Sequence, residues 1–379
     1  MTLTHQTEAA GGRVAPVSQA VSERVKIARV LCIFFMTFVH VQAGIAENVY
    51  ARDAGAFDIV YFILTRMIGL SSVSLLSIVS GYFIVSSLLK TGTRRLIVSK
   101  VKTLIVPLVS WNLAMLVLLL AYAALSGNVR DLPRPDVMGI VNALFGVTEW
   151  PLVVPLWFLR DLFVCCLAAP ALYFGLRRLP LVAWAALLAF AVFGQDWHIM
   201  ERPQLLLFFA AGMQLRIGGW QEARMDRVSA LLTIGLCVMV AVFLTIRIER
   251  ISLAGMETLR LGLDTLLRIT MAAGFWRLTA IIRGTGSAPL FYRLEPDVFV
   301  LFCSHAILFN FAGIVFRRFF GNYGSDLFPI TFFTLPVLAV VAAVIGLQLI
   351  RSSNVLLFFF NAGHTVPPWK SRPALQQAG

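Results

Sequence analysis

An arginine and a histidine share the first long apolar stretch of the chain, at Arg29 and His40. At about 100° per residue, the eleven helical steps between them return to within about 20° of the starting direction, so both side chains lie on one helix face. They are about 16 Å apart along the axis, roughly half the hydrocarbon thickness of a bilayer. Ionisable groups inside a membrane are costly and by default indicate function. The pair is therefore the first candidate site.

Each member of this pair has a chemistry suited to group transfer. The guanidinium of Arg29 can hold an anion such as a phosphate or a carboxylate. A buried imidazole at His40 is expected to be neutral, because desolvation disfavours its charged form. It can then accept a proton from an alcohol or be acylated itself. The structural alternative is an arginine that extends to the membrane surface and a packed, hydrogen-bonded histidine, and the residues alone leave both open.

The composition indicates which class of protein must position the pair. The chain of 379 residues is 59% apolar and 13% charged, with a mean hydropathy of +0.83. Soluble domains are about 45–50% apolar and about 25% charged. These values exclude a soluble globular enzyme, a disordered chain and a fibrous protein. The net charge of +13 would suggest a nucleic-acid partner in a soluble protein, but in a membrane protein it first indicates orientation, and we expect no nucleic acid.

Apolar stretches near the length of a membrane-spanning helix recur along the chain. They predict an all-α, polytopic integral membrane protein with about ten transmembrane helices. The predicted spans are 27–46, 68–89, 103–125, 152–176, 179–195, 203–218, 228–248, 262–282, 297–316 and 328–350. The predicted organisation is a disordered cytoplasmic N-terminus at 1–23, a transmembrane domain at 24–350 and a cytoplasmic tail at 351–379.

Basic residues are unequally distributed between the predicted loops. If the N-terminus is cytoplasmic, the inside segments hold roughly twice as many Lys and Arg residues as the outside ones. The pattern predicts that both termini are cytoplasmic. The five cysteines lie in apolar runs without metal-ligand spacing, so we expect neither disulfides nor a metal site.

The spacing of Arg29 and His40 resembles the leading motif of the membrane acyltransferase 3 family, which O-acylates bacterial sugars and polysaccharides. Three further stretches resemble the family's motifs, in the family's order, at residues 80–84, 155–162 and 302–307. One stretch departs from the pattern, because the Arg-x-x-Arg pair that often follows the second helix in the family is missing.

This resemblance implies a bacterial inner-membrane enzyme that moves an acetyl or succinyl group from acyl-CoA to a glycan hydroxyl. The acceptor would be an exopolysaccharide, for example of the succinoglycan type, or its lipid-linked oligosaccharide precursor. His40 would be the general base or a transient acyl carrier, and Arg29 would bind the anionic end of the donor. Acyl-CoA would be a substrate, with no bound cofactor, and the oligomeric state stays open.

Further residues receive roles through the same resemblance. The basic loop after the second predicted helix would bind the phosphates of the donor through Arg94, Arg95, Lys100 and Lys102, or it is an ordinary positive-inside loop. Trp157, Arg160 and Asp161, at the outer end of the fourth predicted helix, would meet the acceptor sugar, or form a local ion pair. His305 would line a cavity, or be a hydrogen-bonded core histidine.

A different functional class competes with the enzyme. A glycan transporter, a flippase or a polymerase subunit would also carry arginine within the membrane and would perform no acyl transfer. Transporters often contain inverted repeats with broken helices, and the sequence has no visible repeat. Consumption of a thioester by the purified protein separates the two classes.

Overall fold

The computed structural model describes residues 16–41, 55–129, 131–249, 251 and 253–362, and all regular structure in these residues is helical. The α-helices are α1 (Gln19–Val39), α2 (Gly55–Phe62), α3 (Leu70–Lys100), α4 (Val106–Ser126), α5 (Val137–Phe145), α6 (Trp157–Arg178), α7 (Pro180–Phe193), α8 (Gln204–Ile217), α9 (Glu222–Ile248), α10 (Glu257–Arg283), α11 (Ala288–Leu294), α12 (Val298–Phe320), α13 (Phe328–Ile350) and α14 (Asn354–Phe360). Two π-helical segments, Ile63–Gly69 and Val101–Ile105, join α2 to α3 and α3 to α4.

Seven helical runs within the described residues are long and apolar enough to cross a membrane. They are Ala56–Thr91, Thr93–Ser126, Val154–Arg178, Glu222–Ile248, Glu257–Arg283, Ala288–Phe320 and Phe328–Ile350. The chain is thus a multi-pass membrane protein, and the predicted count of about ten spans is not confirmed. Helices α7 and α8 have 14 residues each, which is about 21 Å of helix against a hydrocarbon core of about 30 Å.

The first helix begins earlier than the sequence predicted. Ser18 is its N-cap, and the hydroxyl of Ser18 accepts a hydrogen bond from the backbone N–H of Val21 at 3.2 Å. Serine is a favoured N-cap residue because its oxygen satisfies an otherwise unpaired helix donor. The predicted disordered segment 1–23 therefore overlaps the first residues of α1, whereas residues 1–15 lie outside the described part. The helix ends at Val39, so His40 is its C-cap.

The predicted basic loop is instead the beginning of a helix. Gly92 has a φ of +76°, a backbone conformation that only glycine adopts readily, and it breaks the long helical run between Thr91 and Thr93. The basic residues that follow are helical from Thr93 onwards. The chain thus changes direction at the single residue Gly92, rather than through the loop that the charge pattern predicted.

Helices α3 and α8 pack through small residues. A methyl group added at Gly81 would overlap the backbone carbonyl of Phe209, and one added at Gly212 would overlap that of Ile78. The two helix backbones are therefore in direct contact. Serines on the same part of α3 are buried with them, which agrees with a small-residue packing face.

Ionic contacts mark the two ends of the bundle. At one end, here called the Arg24 end, the guanidinium of Arg24 near the start of α1 binds Glu222 at the start of α9. At the opposite end, here called the Asp58 end, Asp58 accepts hydrogen bonds from Arg247 at the end of α9 and from Tyr323 after α12. Burial and the contact with Asp58 raise the pKa of the Tyr323 phenol. Helices α1, α9 and α12 therefore run in the same direction.

The connection between α4 and α6 folds back into the bundle. Asn112 is fully buried near the middle of the run Thr93–Ser126. Its side-chain nitrogen donates to the Leu144 carbonyl at 3.0 Å, and its side-chain oxygen accepts from the Val153 backbone N–H at 2.8 Å. Val153 shortly precedes Trp157, so Asn112 anchors the segment that leads into α6.

Candidate active site

His40 meets a second histidine at the end of α1. The ring centroids of His40 and His305 are 5.2 Å apart with an angle of 53° between the ring planes. His305 lies on α12, near the middle of the run Ala288–Phe320. The structure therefore brings two imidazoles from distant parts of the sequence together in the interior of the bundle.

Arg29 lies nearer the start of α1, on the helix face that carries His40. Its guanidinium lies 3.0 Å from a carboxylate oxygen of Glu295, just before α12. Arg29 and His40 thus contact the same segment, from Glu295 to His305 on α12. This agrees with their predicted position on one face of α1. The side chain of Arg29 is 47% exposed, so the guanidinium is accessible to a ligand.

The depth of His40 follows from the helix beside it. A Cβ on Gly69 would meet the side chain of Val39, so the end of α1 lies level with Gly69. The run that contains Gly69 starts at Ala56, and its first 13 residues extend about 20 Å further towards the Asp58 end. His40 therefore lies well inside the bundle.

His305 is fully buried, and its ring is held in place by its own helix. Nδ1 of His305 is 3.0 Å from the carbonyl oxygen of Leu301. A carbonyl can only accept, so this contact assigns the proton to Nδ1 and leaves Nε2 as an acceptor. Nε2 is buried and has no hydrogen-bond partner among the residues that the structure describes.

The beginning of α6 lies close to this pair. The ring of Phe158 is 6.0 Å from that of Phe302, which is one helical turn before His305. Trp157 packs edge to face against both Phe158 and Trp150, at 6.0 and 6.3 Å, and it is half-buried. Phe158 and Phe302 thus lie between the predicted sugar-stacking Trp157 and His305, and the role of Trp157 stays a prediction.

Arg160 and Asp161 form the local ion pair that was the alternative to sugar binding. Asp161 is fully buried and accepts from the guanidinium of Arg160 at 3.0 Å. It also accepts from the backbone N–H groups of Glu201 and Arg202, at 3.2 and 3.0 Å. With its oxygens engaged in this way, Asp161 anchors the α7–α8 connection. Both residues lie in the first two turns of α6, and their role in acceptor binding stays a prediction.

Three of the four predicted donor-binding residues share one surface. Arg94, Arg95 and Lys102 line an open cavity of about 490 Å³, whereas Lys100 is not part of its lining. The lining positions recur at three to four residues, which places them on one side of the helix that follows Gly92. This surface, called the basic face below, presents three positive charges without the Arg-x-x-Arg spacing.

Sequence reasoning missed Arg24. Its side chain is fully buried and stacks on the ring of Trp276 at 3.9 Å from the centroid. It donates to Glu222 at 3.0 Å, to Thr279 at 3.1 Å and to Asp226. The i,i+4 acidic pair on α9 was a usable signal, because it needs a cationic partner on a neighbouring helix. Arg24 thus joins α1, α9 and α10.

An apolar cavity of about 420 Å³ lies beside Arg24. Its walls come from α1, α3, α7, α8, α9 and α10 and include Val25, Phe208 and Trp276. The lining is almost entirely hydrocarbon and aromatic, so it suits an acyl chain rather than a sugar.

Comparison with known proteins gives a family. Residues 23–351 match the family model described as an acyltransferase domain. The succinoglycan biosynthesis protein ExoH of Rhizobium meliloti (strain 1021) is 26% identical over 342 residues, which are 87% of this chain and 89% of that protein. Among solved structures, none matches the chain. Because the family model covers most of the described bundle, including both histidines, the chain belongs to the acyltransferase 3 family and is a membrane acyltransferase.

Proposed function

We propose that the protein transfers an acetyl or succinyl group from acyl-CoA to a hydroxyl of a bacterial exopolysaccharide or of its lipid-linked precursor. The family supports the acyl-transfer chemistry, and the name of the relative ExoH supports a surface polysaccharide as the product. The observation that carries the proposal is the contact between His40 and His305 deep in the bundle.

The donor enters from the Arg24 end, which this proposal places in the cytoplasm of a bacterial inner-membrane protein. The basic face attracts the CoA phosphates, because three positive charges around one open cavity favour a polyanion. Arg29, nearly half exposed, exchanges Glu295 for an anionic group of the donor. A bidentate guanidinium suits both phosphate and carboxylate, and it therefore serves either donor.

His40 then acts in one of two ways. As a general base, its imidazole takes the proton of the acceptor hydroxyl while the oxygen attacks the thioester carbon, and the departing thiolate receives that proton. As a nucleophile, His40 itself attacks the thioester and carries the acyl group to the hydroxyl. In both cases an imidazole ring nitrogen must reach the acyl carbon or the hydroxyl.

The acceptor approaches from the Asp58 end. Trp157, at the start of α6, contacts Phe158, which in turn contacts Phe302 one helical turn before His305. Aromatic faces stack on sugar rings, and a half-buried indole offers such a face. The depth of His40 then allows a donor from one side and an acceptor from the other to meet at one imidazole.

The test compares His40→Ala with the wild-type protein in lipid nanodiscs. Isotope-labelled acetyl-CoA and succinyl-CoA are offered with the glycan, and labelled glycan is counted. We expect a loss of at least about 10²–10⁴-fold in transfer, the usual contribution of a positioned acid–base group. His198→Asn is the matched control, because His198 is exposed and has a positive φ that asparagine tolerates.

Two results contradict the proposal. Wild-type transfer by His40→Ala in a folded protein removes the central role of His40. A wild-type protein that releases no CoA from either donor contradicts acyl-CoA as the substrate.

A further inference from the structure

His305 offers a buried acceptor atom that none of the described residues binds. Its Nδ1–H is committed to the Leu301 carbonyl of the preceding turn. Its Nε2 has no hydrogen-bond partner among the described residues, although the whole side chain is inaccessible to solvent. A buried unpaired acceptor lowers stability, and its persistence next to a candidate site indicates a partner that arrives with the substrate.

The residues packed around His305 fix the orientation of its imidazole ring, and therefore the direction of Nε2. His40 approaches from α1 at 5.2 Å between ring centroids, and Phe309 packs edge to face at 5.7 Å. Phe302 closes the adjacent turn against Phe158. With one ring nitrogen bound to its own helix and aromatic rings beside it, the imidazole has little freedom to turn.

We propose that His305 is a second catalytic imidazole, whose Nε2 accepts the proton of the glycan hydroxyl. The proposal rests on the proposed function and divides the chemistry between the two rings. His40 carries the acyl group, and His305 activates the hydroxyl that removes it. A neutral imidazole whose other nitrogen donates to a carbonyl has the tautomer and orientation that a general base requires.

The two half-reactions balance. In the first, a nitrogen of His40 attacks the thioester carbon, the C–N bond forms and the C–S bond breaks, and the CoA thiolate takes the imidazole proton. In the second, the glycan oxygen attacks the acyl carbon while its proton passes to Nε2 of His305. The C–O bond forms, the C–N bond to His40 breaks, and His40 regains a proton from His305. No oxidant, reductant or further co-reactant is consumed.

Two substitutions separate the two nitrogens of His305. His305→Asn keeps an N–H near the position of Nδ1 for the Leu301 carbonyl and removes the acceptor atom. His305→Gln places an amide near the position of Nε2, which can accept a hydrogen bond but cannot take up a proton. Ser304→Ala, on the same helix and only half-buried, is the matched control.

The experiment measures the half-reactions separately in full-length protein in nanodiscs. Acyl-CoA is first added without glycan, and the burst of free CoA is counted per protein. Glycan is then added, and the decay of acyl-enzyme and the steady-state kcat and KM for glycan are followed. We expect a normal burst in both variants and a deacylation rate at least about 10²-fold lower, the contribution of a general base. We also expect a raised glycan KM in His305→Asn but a near-normal one in His305→Gln.

Each other outcome has a definite meaning. Wild-type deacylation in both variants overturns the role of His305, and a wild-type protein that transfers acyl groups without any burst overturns the division between the rings. If His305→Asn fails to fold, His305→Gln decides alone, since it tests the same proton transfer. A wild-type protein that acylates no glycan from either donor contradicts the proposed function instead.

Discussion

At the scale of single residues, helix periodicity predicts which residues share a helix face, but it does not predict contacts between distant helices. The period of a helix placed Arg29 and His40 on one face, and both contact the segment leading through α12. The partners of Arg24 lie 198 to 255 positions away in sequence, and no local pattern indicates such distant contacts. For the same reason, the sequence indicates both His40 and His305 as candidates but not that their rings meet.

Arg29 is expected to act on substrate binding rather than on folding. Arg29→Ala should raise the KM for acyl-CoA about 10- to 100-fold, because a hydrogen bond to a charged group contributes about 1.5–3 kcal/mol. The pair with Glu295 is partly exposed, so the free energy of unfolding should change by less than about 1 kcal/mol. Initial rates at varied acyl-CoA measure the effect. Glu295→Gln is the control and should not raise this KM; an unchanged KM in Arg29→Ala excludes a donor contact.

Arg24 is expected to act on folding. Arg24→Ala leaves Glu222 and Asp226 without their shared cation, and these carboxylates are each 28% exposed. Because breaking fully buried pairs costs about 3–5 kcal/mol, we expect about 2–4 kcal/mol here. Thermal unfolding in detergent should show a lowered Tm, whereas Arg29→Ala should leave the Tm nearly unchanged. Equal Tm values for the two variants would refute the structural role of Arg24.

At the scale of elements, the sequence predicted which stretches are helical better than where they start and stop. Ser18 and Gly92 set two of these boundaries, one by capping and one by a positive φ. Both signals are weak in an apolar chain, because hydrophobicity alone omits the polar start of α1 and the basic helical residues after Gly92. The basic residues after Gly92 consequently belong to a helix instead of a loop.

The contact between α3 and α8 sets a strict limit on side-chain size. Gly81→Ala would overlap the Phe209 carbonyl, and we expect a loss of about 1–3 kcal/mol, as for other overpacked cores. Gly262→Ala is the matched control, since a Cβ there meets no atom within 4 Å. In that exposed helical position alanine should be neutral or stabilising by about 0.5–1 kcal/mol. Tm values in detergent compare the two, and a Gly81→Ala protein as stable as Gly262→Ala contradicts the close contact.

The basic face should act as one electrostatic unit. Replacing Arg94 and Arg95 together by alanine should raise the KM for acyl-CoA without changing kcat, because the charges attract the donor but do not touch the acyl carbon. The increase should shrink at high salt, which screens exposed charges. Lys100→Ala is the control, since Lys100 lies outside the cavity lining. A KM equally affected by both variants would indicate a nonspecific effect of net charge.

At the scale of the whole molecule, composition alone was sufficient for the class and insufficient for the number of spans. An apolar fraction of 59% requires a membrane environment, and the helical bundle agrees with it. The number of crossings depends on stretches such as α7 and α8, whose apolar residues end before a bilayer is spanned. Hydrophobicity indicates that a stretch is buried in protein or lipid, but it does not show how far that stretch extends across the bilayer.

Orientation gives a further prediction. The excess of Lys and Arg on the side of the N-terminus favours a cytoplasmic Arg24 end and a cytoplasmic C-terminus. A reporter fused to the C-terminus, active only in the cytoplasm, should therefore be active, and one active only in the periplasm should be silent. The reverse pair of results would invert the proposed paths of donor and acceptor.

The short helix α7 also affects the surrounding lipid. It has 14 residues, about 21 Å of helix, and exposes Leu181, Val182 and Leu188. Helix α9, which is similarly exposed, has 27 residues and about twice that length. A bilayer of uniform thickness cannot match both, so this hydrophobic mismatch requires lipids near α7 to thin locally or polar chain to lie at hydrocarbon depth. Where the lipid thins, the annulus around the protein is asymmetric, and the two aqueous compartments approach each other most closely on the side of α7.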